Sequence, residues 1–95
     1  MSAIIDAAVE KLQARLSGSF EGSAKFVIED EGAIILDGEG VRAGDEEAEV
    51  TLTADADTFQ AILDGDLNPT SAFMGGRLKV EGNMGLAMKL GSVLG

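Results

Sequence analysis

Asn68-Pro69-Thr70-Ser71-Ala72-Phe73-Met74-Gly75-Gly76-Arg77-Leu78-Lys79-Val80-Glu81-Gly82-Asn83-Met84 changes its period twice in a short span, and that change decides the fold class. Asn68 before Pro69 is a helix start, because Asn accepts hydrogen bonds from unpaired N–H groups and Pro brings a preset φ to the first helical position. Ala72, Phe73 and Met74 follow before Gly75-Gly76 breaks the helix. From Arg77 to Glu81 the apolar residues fall on every second position, with Leu78 and Val80 to one side: a half-buried strand. Gly82 ends it, and Asn83 caps a last helix reaching about Ser92.

That last helix is apolar over most of its circumference. Met84, Ala87, Met88 and Gly91 form one stripe, Leu86, Leu90 and Leu94 a neighbouring one, and only Lys89 and Ser92 are clearly polar. Such a helix is buried, paired with another chain, or laid over an apolar cavity. The pattern alone does not choose among these.

Upstream, Ala48, Val50 and Leu52 alternate with Glu49, Thr51 and Thr53, a strand with one dry face. Asp55 is placed to cap a short helix carrying Phe59, Ile62 and Leu63, which Gly65 ends. Gly38 to Glu47 is polar and Gly-rich, a loop or an irregular strand. Before it, Ala24, Phe26 and Ile28 alternate with Lys25, Val27 and Glu29; Asp30-Glu31-Gly32 makes a turn, and Ala33 to Asp37 completes a hairpin. The Ile34-Ile35-Leu36 run is apolar on both faces, so its inner face stays open. At the start, Ile5, Ala8, Val9, Leu12 and Leu16 form the stripe of an amphipathic helix, with Ser2 as cap and Gly18 as stop. The order predicts an α+β fold with helices on one face of a sheet, as a single domain over residues 1–95.

Composition narrows the function. With no Cys there is no disulfide, thiolate nucleophile or Cys-ligated metal, and with no His the commonest general base and transition-metal ligand are missing. The expectation is a non-enzyme with no catalytic residues, no metal and no cofactor. Seventeen acidic residues against seven basic ones give a formal charge of −10, which repels polyanions; nucleic acid is therefore not the expected partner. No apolar run is long enough to span a bilayer, so no stable membrane insertion is expected. The opening Met1-Ser2-Ala3-Ile4-Ile5-Asp6 lacks the basic region and long apolar core of a signal peptide, and the expected location is cytoplasmic.

Three motifs have plain explanations. Gly82-Asn83-Met84-Gly85 is a tight turn with a helix cap and no phosphate loop, since no Gly-Lys-Ser/Thr follows. Asp45-Glu46-Glu47 and Asp55-Ala56-Asp57 lack the ordered ligand loop of a Ca²⁺ site and read as solvated surface. Arg77 and Lys79 point away from Leu78 and Val80, onto a solvated strand face.

The stretch from Asn68 to Leu90 resembles the SCP2 (sterol carrier protein 2) family. The likeness rests on Asn68-Pro69, the aromatic Phe73, Gly76-Arg77-Leu78-Lys79-Val80, and Gly82-Asn83-Met84 with an apolar helix ending in Lys89-Leu90. Ala48 to Leu63 and the Phe26-Val27-Ile28 hairpin strand extend it over most of the chain. The resemblance implies a curved five-stranded sheet with helices on one side and an apolar tunnel between. It also implies non-covalent binding of fatty acids, acyl-CoA thioesters, phospholipids or sterols. The chain ends at Gly95 without the Ser-Lys-Leu ending of peroxisomal members, so the expectation is a small stand-alone bacterial member for which a sterol is not the native ligand.

The residues expected to line the cavity are Phe26, Ile28, Val50, Leu52, Phe59, Ile62, Leu63, Phe73, Met74, Leu78, Val80, Met84, Ala87, Met88 and Leu90. Met74, Met84 and Met88 suit an adaptable lining, and equally the gaps of a dry core. The competing reading is an interaction module whose last helix docks on a second copy or an enzyme, for example in isoprenoid-quinone metabolism.

Overall fold

The computed structural model describes residues 3–15 and 21–94. In chain order its elements are α1 (Ala3–Arg15), β1 (Ala24–Ile28), β2 (Gly32–Asp37), β3 (Gly40–Ala43), β4 (Val50–Ala54), α2 (Ala56–Leu63), α3 (Pro69–Met74), β5 (Lys79–Gly82) and α4 (Met84–Leu94). The strands form one sheet in the order β3-β2-β1-β4-β5. Only the central β1–β4 pair is parallel, with Phe26 opposite Leu52; the other neighbours are antiparallel. The fold is the expected α+β arrangement, and all four helices share one core with the same sheet face.

Alternation sets that face. Ala24, Phe26 and Ile28 of β1 and Val50, Leu52 and Ala54 of β4 are buried, while the residues between them are half-buried on the other side. The structure also closes the question of the Ile34-Ile35-Leu36 run. Ile34 pairs with Phe26 and Leu36 with Ala24, so both point inward, and Ile35 points to the outer face. Ile35 is nonetheless only 2% exposed.

The cover comes from the β3-to-β4 connection. β3 and β4 lie on opposite sides of the β1–β2 pair, so the segment between them must cross two strands. It does so over the outer face: the Gly44 N–H donates to Ala33 O at 3.0 Å, and Asp45 pairs with Lys25 at 2.9 Å. A Cβ on Gly44 would stand 3.4 Å from Ile35 Cγ1. Arg42 binds both Asp37 oxygens at 3.1 Å and reaches Glu46 at 3.3 Å. Its guanidinium, followed by the Glu39 N–H, holds the Asp37 carboxyl below the usual carboxylate range.

Two expected boundaries move. The polar Gly38 to Glu47 stretch contains the short edge strand β3, with Val41 as its buried residue. The last strand runs from Lys79 to Gly82, leaving Leu78 buried just ahead of it. Helix α1 buries Ile5, Ala8 and Leu12, with Val9 partly packed against the core; the expected Ser2 cap, Leu16 and the Gly18 stop lie outside the described residues. Arg15 donates to Leu63 O at 2.8 Å and Lys11 pairs with Asp64, which fixes α1 to the C-terminal end of α2.

Candidate functional site

Three helices stand over the β1, β4 and β5 side of the sheet without filling the space beneath them. Each is placed by a local device. Asp55 caps α2, its carboxylate accepting from the Thr58 N–H at 2.7 Å. The Thr58 hydroxyl, then that N–H and more weakly Arg77, hold the Asp55 carboxyl below its ordinary value. The same hydroxyl oxygen accepts from Arg77 at 3.3 Å, so Arg77 ties the segment ahead of the last strand to α2 and is no mere solvated charge. Asn68 caps α3, accepting from Thr70 N at 2.8 Å and Ser71 N at 3.3 Å. Asn83 caps α4 through Leu86 N at 3.1 Å.

The entry to α4 has no slack. Gly82 holds φ +104°, and a Cβ there would stand 2.4 Å from Glu49 O and 3.1 Å from Val50 Cα. Only glycine fits both the torsion and the space. Asn83 N donates to the same Glu49 carbonyl at 2.9 Å, so α4 leaves the sheet at a fixed point.

Between these elements lies a cavity of about 740 Å³. Phe26, Leu52 and Val80 of the sheet, together with Leu78, Phe59 and Ile62, form its inner side. Phe26 and Phe59 meet edge to face, with ring centroids 5.6 Å apart at 77°. Pro69, Thr70, Phe73 and Met74 of α3 and Met84, Ala87, Met88, Gly91 and Ser92 of α4 form the other side. Met74 and Met88 are 81% and 74% exposed while lining the space, which puts its mouth between α3 and α4.

Eleven of the residues expected from the sequence therefore border one cavity: Phe26, Leu52, Phe59, Ile62, Phe73, Met74, Leu78, Val80, Met84, Ala87 and Met88. Four stand elsewhere. Ile28 and Leu63 face a separate groove, while Val50 and Leu90 are sealed in the core. The cavity also takes Asn68, Pro69, Thr70, Gly91 and Ser92, which sequence reasoning did not assign to it. Helical spacing could have found the last two, since Gly91 follows Ala87, and Ser92 follows Met88, by four residues.

No described residue lining the cavity is charged. Its polar groups gather where α3 begins and α4 ends: Asn68, Thr70 and Ser92. Asn68 Oδ1 is already engaged as a cap, and Ser92 Oγ donates to Met88 O at 3.3 Å. The space offers burial to an apolar group and a neutral polar rim. Its described lining holds no acid–base pair.

The comparisons agree with this architecture. The sequence model of the SCP-2 sterol transfer family matches residues 3–95. A stretch of 87 residues is 37% identical to hydroxysteroid dehydrogenase-like protein 2 of Bos taurus, covering 92% of this chain and 20% of that protein. A shorter stretch of 46 residues is 52% identical to sterol carrier protein 2 of Homo sapiens, covering 48% of this chain and 8% of the relative. The match thus takes in a fifth or less of these relatives' length. Among solved structures, Sterol Carrier Protein 2 Like 2 of Aedes aegypti superposes with a TM-score of 0.80 at 22% identity, covering 95% of each chain. Sterol Carrier Protein-2 of Aedes aegypti, in complex with the C16 fatty acid palmitate, superposes at 0.79 with 25% identity, covering 99% of this chain and 96% of that one. With the family model matched along nearly its whole length and the same sheet and helices in place, this chain belongs to the SCP-2 sterol transfer family.

Proposed function

We propose that the chain binds the apolar part of a lipid non-covalently in the cavity between its sheet and helices, and transfers it without chemical change. The observation that carries this reading is a space of about 740 Å³ with uncharged lining and exposed methionines at its mouth. Pockets that hold small molecules commonly measure some hundreds of Å³ and are mostly apolar. Each buried methylene contributes ~0.8 kcal/mol, so a sixteen-carbon tail supplies a gross drive of roughly 13 kcal/mol before binding costs. No ionic anchor is needed at that strength.

The fatty acid in the Aedes aegypti complex supports an acyl ligand for this chain as well. Fatty acid, acyl-CoA, phospholipid and sterol-like ligands all fit the rule of a buried tail and a free head at the mouth. No described helix is long and apolar enough to cross a membrane, and a cytoplasmic, non-enzymatic carrier is part of the same proposal.

Native mass spectrometry of gently purified protein, followed by extraction and identification of bound lipid, tests it. A one-to-one lipid adduct, or uptake of added palmitate into an empty protein, is the expected result. Protein that stays empty and refuses added long-chain lipid, yet self-associates as its concentration rises, would overturn it in favour of docking through the last helix.

A further inference from the structure

Two apolar spaces meet at one ring. Besides the main cavity, a groove of about 230 Å³ lies between α1 and α2, with Ile4, Ala7, Ile28, Ala56 and Leu63 among its lining. Phe59 is the one described residue that borders both.

The helical period explains the division. Ile62, three residues after Phe59, faces the cavity, whereas Ala56 and Leu63 fall on the adjoining stripe and face the groove. Strand β1 divides in the same way. Phe26 lies under the cavity, and Ile28, the next inward residue about 6.6 Å along the strand, lies under the groove. Phe59 stands on the boundary, 4% exposed, its ring against that of Phe26.

We propose that Phe59 is the partition that ends the acyl site, setting the longest chain the protein accepts, and that the groove is a latent extension for the tail of a longer chain. The proposal rests on the lipid-carrier reading above. The groove suits hydrocarbon: Lys11 and Gln60 are its polar members, and Lys11 already pairs with Asp64. In the native protein a tail that fills the cavity meets the ring, and further carbons stay in water. Without the ring those carbons enter the groove, where each buried methylene raises affinity about fourfold.

The test is the dependence of affinity on chain length, from palmitate upward through longer saturated fatty acids, read by displacement of a fluorescent fatty acid. The wild type stops gaining affinity once the cavity is full. Phe59→Ala continues to gain and binds the longest acids at least about tenfold more tightly, relative to palmitate, than the wild type does. Phe59→Leu, which keeps more of the packing, falls between them and carries the test if the alanine variant does not fold. Adding Ala56→Phe to either variant refills the groove and restores the original cut-off length.

A general loosening of the core weakens all lengths alike and leaves the cut-off where it was. An unmoved cut-off in both Phe59 variants, or a gain that survives Ala56→Phe, overturns the partition. A wild type that binds no fatty acid of any length overturns the carrier reading itself, and the partition with it.

Discussion

The sheet side of the cavity and its helical side draw on the same kinds of apolar residue and end in opposite states. Phe26 and Leu52 are 1% and 4% exposed; Met74 and Met88, lining the same space, are almost open to water. The sheet side is held by ladders between strands far apart in sequence, and by α1 clamped to α2. On the helical side α3 spans six residues, held by the Asn68 cap and a Pro at its start. Burial that folding completes supplies stability. Burial that folding leaves unfinished is available to a ligand, and unbranched methionine suits it because it repacks at little cost. Stability and binding should therefore respond to different residues.

The largest test of that separation is Phe26→Ala. It removes a fully buried ring and its edge-to-face contact with Phe59, and should lower unfolding free energy by about 3–5 kcal/mol. Against a total near 5–15 kcal/mol, that approaches collapse. Denaturant unfolding measures it, and a loss under about 1 kcal/mol would mean the sheet side is not the structural core. Gly82→Ala comes next. A side chain at φ +104°, driven to 2.4 Å from Glu49 O, should cost about 1–3 kcal/mol or more, seen as a lowered midpoint in the same experiment. An unchanged midpoint would show that α4 leaves the sheet less rigidly than described.

On the helical side the expectation reverses. Met88→Trp and Phe73→Trp enlarge side chains that are 74% and 43% exposed, so stability should stay within about 0.5 kcal/mol. Indole placed in the mouth should nevertheless reduce palmitate uptake by tenfold or more. If either variant unfolds, that position belongs to the packed core and the comparison between the two sides fails.

Much of this division was legible in the sequence because local periods encode it. Phe26, Leu52, Phe59 and Ile62 announced their inward faces by spacing, and Asp55 and Asn68 announced their caps. What stayed hidden is long-range. The parallel pairing of β1 with β4 joins segments separated by two other strands, and nothing local marks it. Ile35 read as ambiguous because its cover, the crossing near Gly44, comes from another part of the chain. β3 is four residues long with one buried apolar side chain, too short for a period to show. Val50 and Leu90 point inward as expected, but an inward direction does not separate sealed core from cavity wall; that depends on how far apart the helices stand. Ile28 and Leu63 also point inward, but under the neighbouring groove, and which of two spaces an inward residue lines is likewise set by where the helices stand.

The smallest effects distinguish the caps of α2 and α3. Asn68 is neutral, so Asn68→Ala should cost about 1 kcal/mol at every pH. Asp55 is charged, and its folded pKa lies below the ordinary 3.8, through the Thr58 hydroxyl first and the Thr58 N–H second. A depressed carboxylate pKa means the unfolded chain takes up the proton first as pH falls. The contribution of Asp55 is therefore complete at neutral pH, begins to fall as pH approaches that ordinary value, and is gone once pH drops below the depressed one. Asp55→Asn keeps an amide oxygen for the cap and removes the titration. Its melting temperature should lie below the wild type's at neutral pH and decline less steeply as pH falls, so that the two curves converge in acid. Parallel curves down to about pH 3 would show that the Asp55 charge contributes nothing, and that α2, like α3, is started by a neutral hydrogen bond alone.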